Sequence, residues 1–212
     1  MKFRYYSFKL AGIMILVFLA QVIFKEYGFT EFFVLNGAAL ENLQVWRFFS
    51  SIFLHGGLGH LAYNLFALVL FGSILETLIG GKKFLWVFFI TGVLANIVSV
   101  NFYSSSLGAS GAIFGVIGAL VFVKPMQVVW AFGLPMPIFI AGILWGIGDV
   151  MGAIGFLVGN PISNTGNIAH LSGMFFGLLF GAMFKKKRVR KSKNKFVIDE
   201  SSVRKWERGW LD

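Results

Sequence analysis

At 212 residues, 57% hydrophobic and 13% charged, with a mean hydropathy of +0.78, this chain is too apolar for a soluble domain and reads as a polytopic membrane protein. Its net charge of +10 does not mark a nucleic-acid binder, because the excess gathers in a tail running from Lys185 to Lys195, directly behind an apolar run. The absence of cysteine excludes disulfides, thiolate metal sites and a cysteine nucleophile.

The first apolar run, about 10–24, follows Lys2, Arg4 and Lys9, which place the N-terminus inside. A cleaved leader would leave five spans and break the charge pattern described below, so this run is read as a span. Residues 25–57 are mixed in polarity, with Glu26, Glu31, Glu41 and the aromatic stretch Trp46-Arg47-Phe48-Phe49. They form an outer loop lying partly in the membrane interface, where Trp and Arg are stable.

The second run, 58–79, begins in His55-Gly-Gly-Leu-Gly-His60-Leu-Ala-Tyr-Asn64. His60 and Asn64 are four residues apart and share one helix face. They read either as a buried polar pair bonded to a neighbouring helix or as two N–H donors for a developing oxyanion. Glu76, near the inner end, reads as a snorkelling or interhelical carboxylate.

Lys82 and Lys83 mark a cytoplasmic turn before the third run, 84–100. The linker 101–109 carries no Lys or Arg, as an outer loop should. The fourth run then extends only from Ser110 to Val123, before Lys124-Pro125. That is about 20 Å of helix, against the roughly 30 Å of a bilayer core. Its outer end is therefore recessed, and the linker must dip in to meet it. Polar backbone at depth needs protein or water around it, so Ser110 is placed at the bottom of a cavity opening outward.

The fifth run, 136–157, carries Asp149 near its middle, and the outer loop 158–167 is again free of Lys and Arg. The sixth, 168–184, opens on Ala169-His170-Leu-Ser-Gly173. Six crossings return the basic tail to the inside. The expected architecture is an all-α, six-helix bundle, N-in and C-in, with a core over 1–184 and a cytoplasmic tail over 185–212. The tail is also placed to touch anionic lipid.

The fourth and sixth helices run in the same direction, so Ser110 and His170 lie at similar depth. Gly111 and Gly115 on one, and Gly173, Gly177 and Gly181 on the other, are spaced for close packing. Serine becomes a nucleophile when a neutral imidazole takes its proton, and the Ser110 amide at a helix start adds an oxyanion donor. The plainer reading of Ser110 is a helix N-cap, and that of His170 a helix-contact residue. Asp149 would sit well inside the fifth helix while His170 sits at the outer end of the sixth, so a packing or proton-relay role is expected for it and a triad is not. No metal or cofactor site is expected from three histidines and no cysteine.

The ordered set Trp46-Arg47, His55-Gly-Gly-Leu-Gly-His60-x-x-x-Asn64, Gly108-Ala-Ser110-Gly111 and Ala169-His170-x-x-Gly173-x-x-x-Gly177 resembles the rhomboid intramembrane serine proteases, over about 1–184. The resemblance implies a Ser110–His170 dyad without an acid, and an oxyanion hole from His60, Asn64 and the Ser110 amide. Gly108, Gly111, Phe114, Gly173, His55, Trp46 and Arg47 would support the site. Phe114 stands where a tyrosine often stacks on the base; it keeps the ring and loses the hydroxyl. Implied partners are transmembrane protein substrates in a lipid bilayer, cut near the outer membrane edge at small residues, with the fifth helix or its loop gating lateral access. A catalytically inactive, client-binding relative is the alternative, and a small transporter a third reading that lacks the repeats such proteins show.

Overall fold

The computed structural model describes residues 5–161, 166–184 and 204. The apolar runs become helices α1 (Tyr6–Ile23), α2 (Leu58–Ile79), α3 (Gly81–Ser99), α4 (Ser110–Val123), α5 (Ile138–Leu157) and α6 (Asn167–Phe184). Five of them, 18 to 22 residues long, are apolar enough to cross a membrane, whereas α4 has 14 residues. This is the fold of a multi-pass membrane protein. The turn expected at Lys82 and Lys83 shrinks to Gly80, and both lysines lie in the first turn of α3. Lys2, Arg4 and the basic tail, Arg204 apart, lie outside the described residues.

The short helix α4 is the centre of the bundle. Every residue from Gly111 to Leu120 is buried. The glycine steps on α6 explain how a helix can be enclosed so fully. A Cβ on Gly173 would fall on the Gly111 carbonyl oxygen, one on Gly177 on that of Gly115, and one on Gly181 against Ala119 and Phe122. Backbone therefore meets backbone along three turns, the close approach that small residues permit. On the opposite side Gly115 and Gly92 admit Thr91 and Ala112 in the same way, tying α3 to α4.

Polar side chains anchor the periphery. Glu76 accepts the Tyr6 and Ser7 amide hydrogens at 3.2 Å, so it is the interhelical carboxylate of the two readings and places negative charge at the start of α1. Arg47 is buried within the outer loop. Its Nη1 donates to the carbonyls of Glu31 and Val34 at 2.7 Å, and its Nε donates to Gln44 at 2.6 Å. Unpaired carbonyls of an irregular loop are satisfied from inside rather than by lipid headgroups. Trp46 remains half-exposed, stacked on Phe32.

The expectation of an all-α chain needs correction at two places. β1 (Leu35–Asn36) pairs antiparallel with β2 (Ser105–Ser106), fastening the outer loop to the linker before α4. Between α4 and α5, β3 (Val128–Ala131) and β4 (Leu134–Pro137) form a hairpin. Pro125, Pro135 and Pro137 oppose helix there, and Val129 and Ala131 point into the core while Val128 and Trp130 point out. Both faces are apolar, so no polar alternation announced a strand.

Candidate active site

The linker before α4 is held from three sides. Besides the β1–β2 pair, the Gly108 amide donates to the Ser51 carbonyl at 2.9 Å. Ser51 Oγ in turn accepts from Asn96 Nδ2 at 3.0 Å. The Tyr103 hydroxyl accepts the Ile168 amide hydrogen at 3.1 Å, joining the linker to the first turn of α6. Burial foremost, and then the nearby Asp149 carboxylate, raise the Tyr103 hydroxyl above its ordinary pKa, so it remains protonated; the Ile168 bond opposes this.

Ser110 is the first residue of α4, with Ala109 rather than Ser110 at the cap position and no side-chain cap. The N-cap reading therefore fails, and the hydroxyl is committed elsewhere. Ser110 Oγ lies 2.8 Å from His170 Nε2. The first amide bonded within α4 is that of Ile113, to the Ala109 carbonyl, which leaves the Ser110 N–H at the open end of the helix. Phe114, one turn on, stacks on the imidazole with ring centroids 4.3 Å apart.

The far side of the imidazole holds what the sequence reading placed elsewhere. Asp149 Oδ1 lies 3.0 Å from His170 Nδ1 and also accepts from Asn167 Nδ2 at 2.8 Å. The depth estimate failed because α6 begins short of the end of α5. Its first turn meets α5 inside the helix rather than at its end, where a Cβ on Gly152 would strike the Asn167 side-chain amide. Asp149 is eight residues from the end of α5, or roughly 12 Å below it, and the recessed start of α6 lies at that level.

Opposite Ser110, the Gly56 amide donates to His60 Nδ1 at 3.3 Å, so in the neutral ring the proton sits on Nε2. Gly108, with φ +121, leaves a space beside that nitrogen. A Cβ there would lie 2.9 Å from His60 Nε2 and 3.9 Å from Ser110 Oγ. Glycine is needed both for the positive φ and to keep this gap between donor and hydroxyl open. Asn64 is buried on the same helix face and spends one Nδ2 hydrogen on the His60 carbonyl, leaving a second.

These groups line one pocket of about 1070 Å³, shared by His60, Asn64, Gly108, Ser110, Gly111, Phe114 and His170. The structure thus brings together most of the residues singled out from the sequence. His55 stands behind the pocket with its ring edge-on to His60, Gly173 lies at the α4–α6 contact, and Trp46 and Arg47 stay in the outer loop. Sequence reasoning missed Gln21, Tyr103 and Asn167. Gln21 accepts the His55 amide hydrogen at 2.9 Å and donates to its carbonyl at 3.3 Å, fixing the turn that leads to His60. A lone amide inside the first apolar run was the available signal.

Comparison with known proteins places most of the chain in one family. Residues 42–187 match the Rhomboid domain family. The chain is 34% identical over 176 residues to Rhomboid protease GluP of Bacillus subtilis, covering 81% of this chain but only 34% of that protein, about a third of its length. It is 31% identical over 189 residues to Rhomboid protease GlpG of Haemophilus influenzae, covering 84% of this chain and 90% of the other. Inactive RHOMBOID-like protein 8 of Arabidopsis thaliana is 34% identical over 86 residues, 40% of this chain and 24% of that protein. Relatives therefore include proteins named for protease activity and one named for its absence. With a family match across most of its length and five helices fit to cross a membrane, the chain belongs to the rhomboid family of membrane-embedded proteases.

Proposed function

We propose that this protein is an intramembrane serine endopeptidase that hydrolyses peptide bonds in or near the transmembrane segments of other membrane proteins. The observation that carries the reading is the 2.8 Å contact between Ser110 Oγ and His170 Nε2, inside a pocket that also presents His60 and Asn64. In this reading Oγ attacks the scissile carbonyl carbon as its proton passes to Nε2. The carbonyl electron pair moves onto oxygen, which accepts hydrogen bonds from the Ser110 amide, His60 Nε2 and Asn64 Nδ2. His170 then returns the proton to the leaving amine, and water cleaves the acyl-enzyme by the same steps in reverse.

The topology that suits this chemistry is six spans over 1–184 with both termini cytoplasmic, the tail at 185–212 near anionic lipid, and α4 reaching only part way across. The pocket then opens to the outer face of the cell membrane and admits water. Substrates are single-span proteins whose helices unwind near the outer edge, entering past α5.

The test is cleavage of a single-span substrate in liposomes by wild type, Ser110→Ala and His170→Ala, alongside labelling with a serine-directed phosphonate. Cleavage and Ser110 labelling by wild type, lost in both variants, support the protease. A folded wild type that neither cleaves nor labels is a client-binding relative instead.

A further inference from the structure

We infer that Asp149 completes a triad with His170 and Ser110, as a positioning residue acting on the serine only through the imidazole. This departs from the acid-free dyad that the family resemblance implies, and it rests on the proposed protease reading. Asp149 Oδ1 is 3.0 Å from His170 Nδ1, and the opposite ring nitrogen is 2.8 Å from Ser110 Oγ. Carboxylate, imidazole and hydroxyl therefore form one connected line, built from three different helices.

The chemistry follows from that order. A carboxylate can only accept, so the proton it receives is on Nδ1, and the lone pair is on Nε2, facing the serine. Without that bond, either nitrogen of a neutral histidine could carry the proton, and the tautomer protonated on Nε2 cannot act as the base. When Ser110 gives its proton to Nε2, the ring becomes cationic beside the carboxylate, which keeps accepting the Nδ1 hydrogen bond and takes no proton from it.

Several further contacts show a carboxylate held in place for this bond. Asp149 and His170 are 6% and 8% exposed, so water does not compete for the carboxylate. Asn167 donates to the same Oδ1 at 2.8 Å, and Gly152 makes room for it. Phe114 covers one ring face, so the imidazole cannot swing away. An ionisable residue within an apolar helix is expensive, and a buried one is expected to face a functional partner. The other ionisable groups facing this pair are His60 on α2 and the Tyr103 hydroxyl, and among the described residues the hydrogen-bond partner of Nδ1 is Asp149.

The experiment combines kinetics with histidine nitrogen spectroscopy on the full chain in detergent. Asp149→Asn should lower kcat by about two orders of magnitude or more, with KM little changed. Phosphonate labelling of Ser110 should slow in parallel, while the unfolding temperature stays near wild type. Asn167→Ala, which leaves the imidazole bond in place, should cost less. In ¹⁵N spectra, wild-type His170 should carry its proton on Nδ1, and Asp149→Ala should lose that preference. Wild-type turnover in Asp149→Asn would overturn the inference. So would equal losses of kcat and of unfolding temperature in Asp149→Asn and Asn167→Ala, which would make the carboxylate a strut for α6. A wild-type His170 protonated on Nε2 overturns it without any variant. A wild type that neither cleaves nor labels, yet shows the Nδ1 proton, would instead sink the protease reading and keep the His–Asp pair.

Discussion

Phe114 lies flat against His170, its ring plane 7° from parallel to the imidazole. Trp145 of α5 backs the phenyl ring edge-on, at 6.5 Å between centroids. Aromatic stacking of this kind contributes about 0.5–1.5 kcal/mol beyond area burial. Phe114→Ala should therefore lower kcat/KM by roughly 2- to 12-fold, with KM little affected. Phe114→Tyr should retain most activity, because the ring does the positioning. Steady-state cleavage of a model substrate measures both, and a Phe114→Ala enzyme as fast as wild type would remove the stack from the mechanism.

Asn64 offers one spare amide hydrogen to the pocket. A hydrogen bond to a charged oxygen is worth about 1.5–3 kcal/mol, so Asn64→Ala should reduce kcat roughly 10- to 150-fold. Residual turnover should remain, since the Ser110 amide and His60 are untouched. Complete inactivation with an unchanged fold would show that Asn64 does more than donate one bond.

The α4–α6 seam allows no side chain. Gly177→Ala would put a methyl on the Gly115 carbonyl oxygen, five residues along α4 from Ser110. Overpacking of this sort costs about 1–3 kcal/mol, more where the obstacle is backbone. Thermal unfolding in detergent should show a lower midpoint, with activity falling as the helices separate. A midpoint equal to wild type would mean that the seam yields easily.

His55 is buried in the turn before α2, with Nδ1 donating to the Phe53 carbonyl at 3.1 Å and Nε2 without a partner among the described residues. Burial first, and then the neighbouring His60, lower its pKa to about 4. The folded form therefore binds a proton less readily than the unfolded chain, whose histidine titrates near 6.5. Stability from this residue is complete above pH 6.5 or so and is lost as pH falls toward about 4. His55→Gln should flatten the fall of the unfolding midpoint across that window. An unchanged slope would assign acid sensitivity to other groups.

The β3–β4 hairpin exposes Val128, Trp130, Phe132 and Leu134, an outward face without a charge. A solvated hairpin would carry polar residues there. Lipids with brominated acyl chains should quench the fluorescence of wild type more than that of Trp130→Phe. Equal quenching would put the hairpin in water.

Helix positions were legible because apolar runs of membrane length have few alternatives, and the meeting of Ser110 with His170 followed from parallel helices with matching glycine steps. The hairpin was hidden because both faces of its strands are apolar, which leaves no polar alternation to read. Asp149 was misplaced because its depth was counted from the end of α5, whereas the recessed start of α6 sets the level that matters. Tyr103 and Gln21 act by bonding backbone across long sequence separations, and no local pattern marks such bonds.

Ser110 and the imidazole it contacts are 60 residues apart in the chain, and His170 sits on α6. During translation the hydroxyl therefore emerges long before the imidazole it contacts. On the proposed reading, a nascent chain threaded as far as α5 has its nucleophile, oxyanion donors and Asp149 but lacks its base, so it should not cleave the membrane proteins being inserted beside it. On that reading, the docking of α6 along the glycine seam is also the step that arms the enzyme.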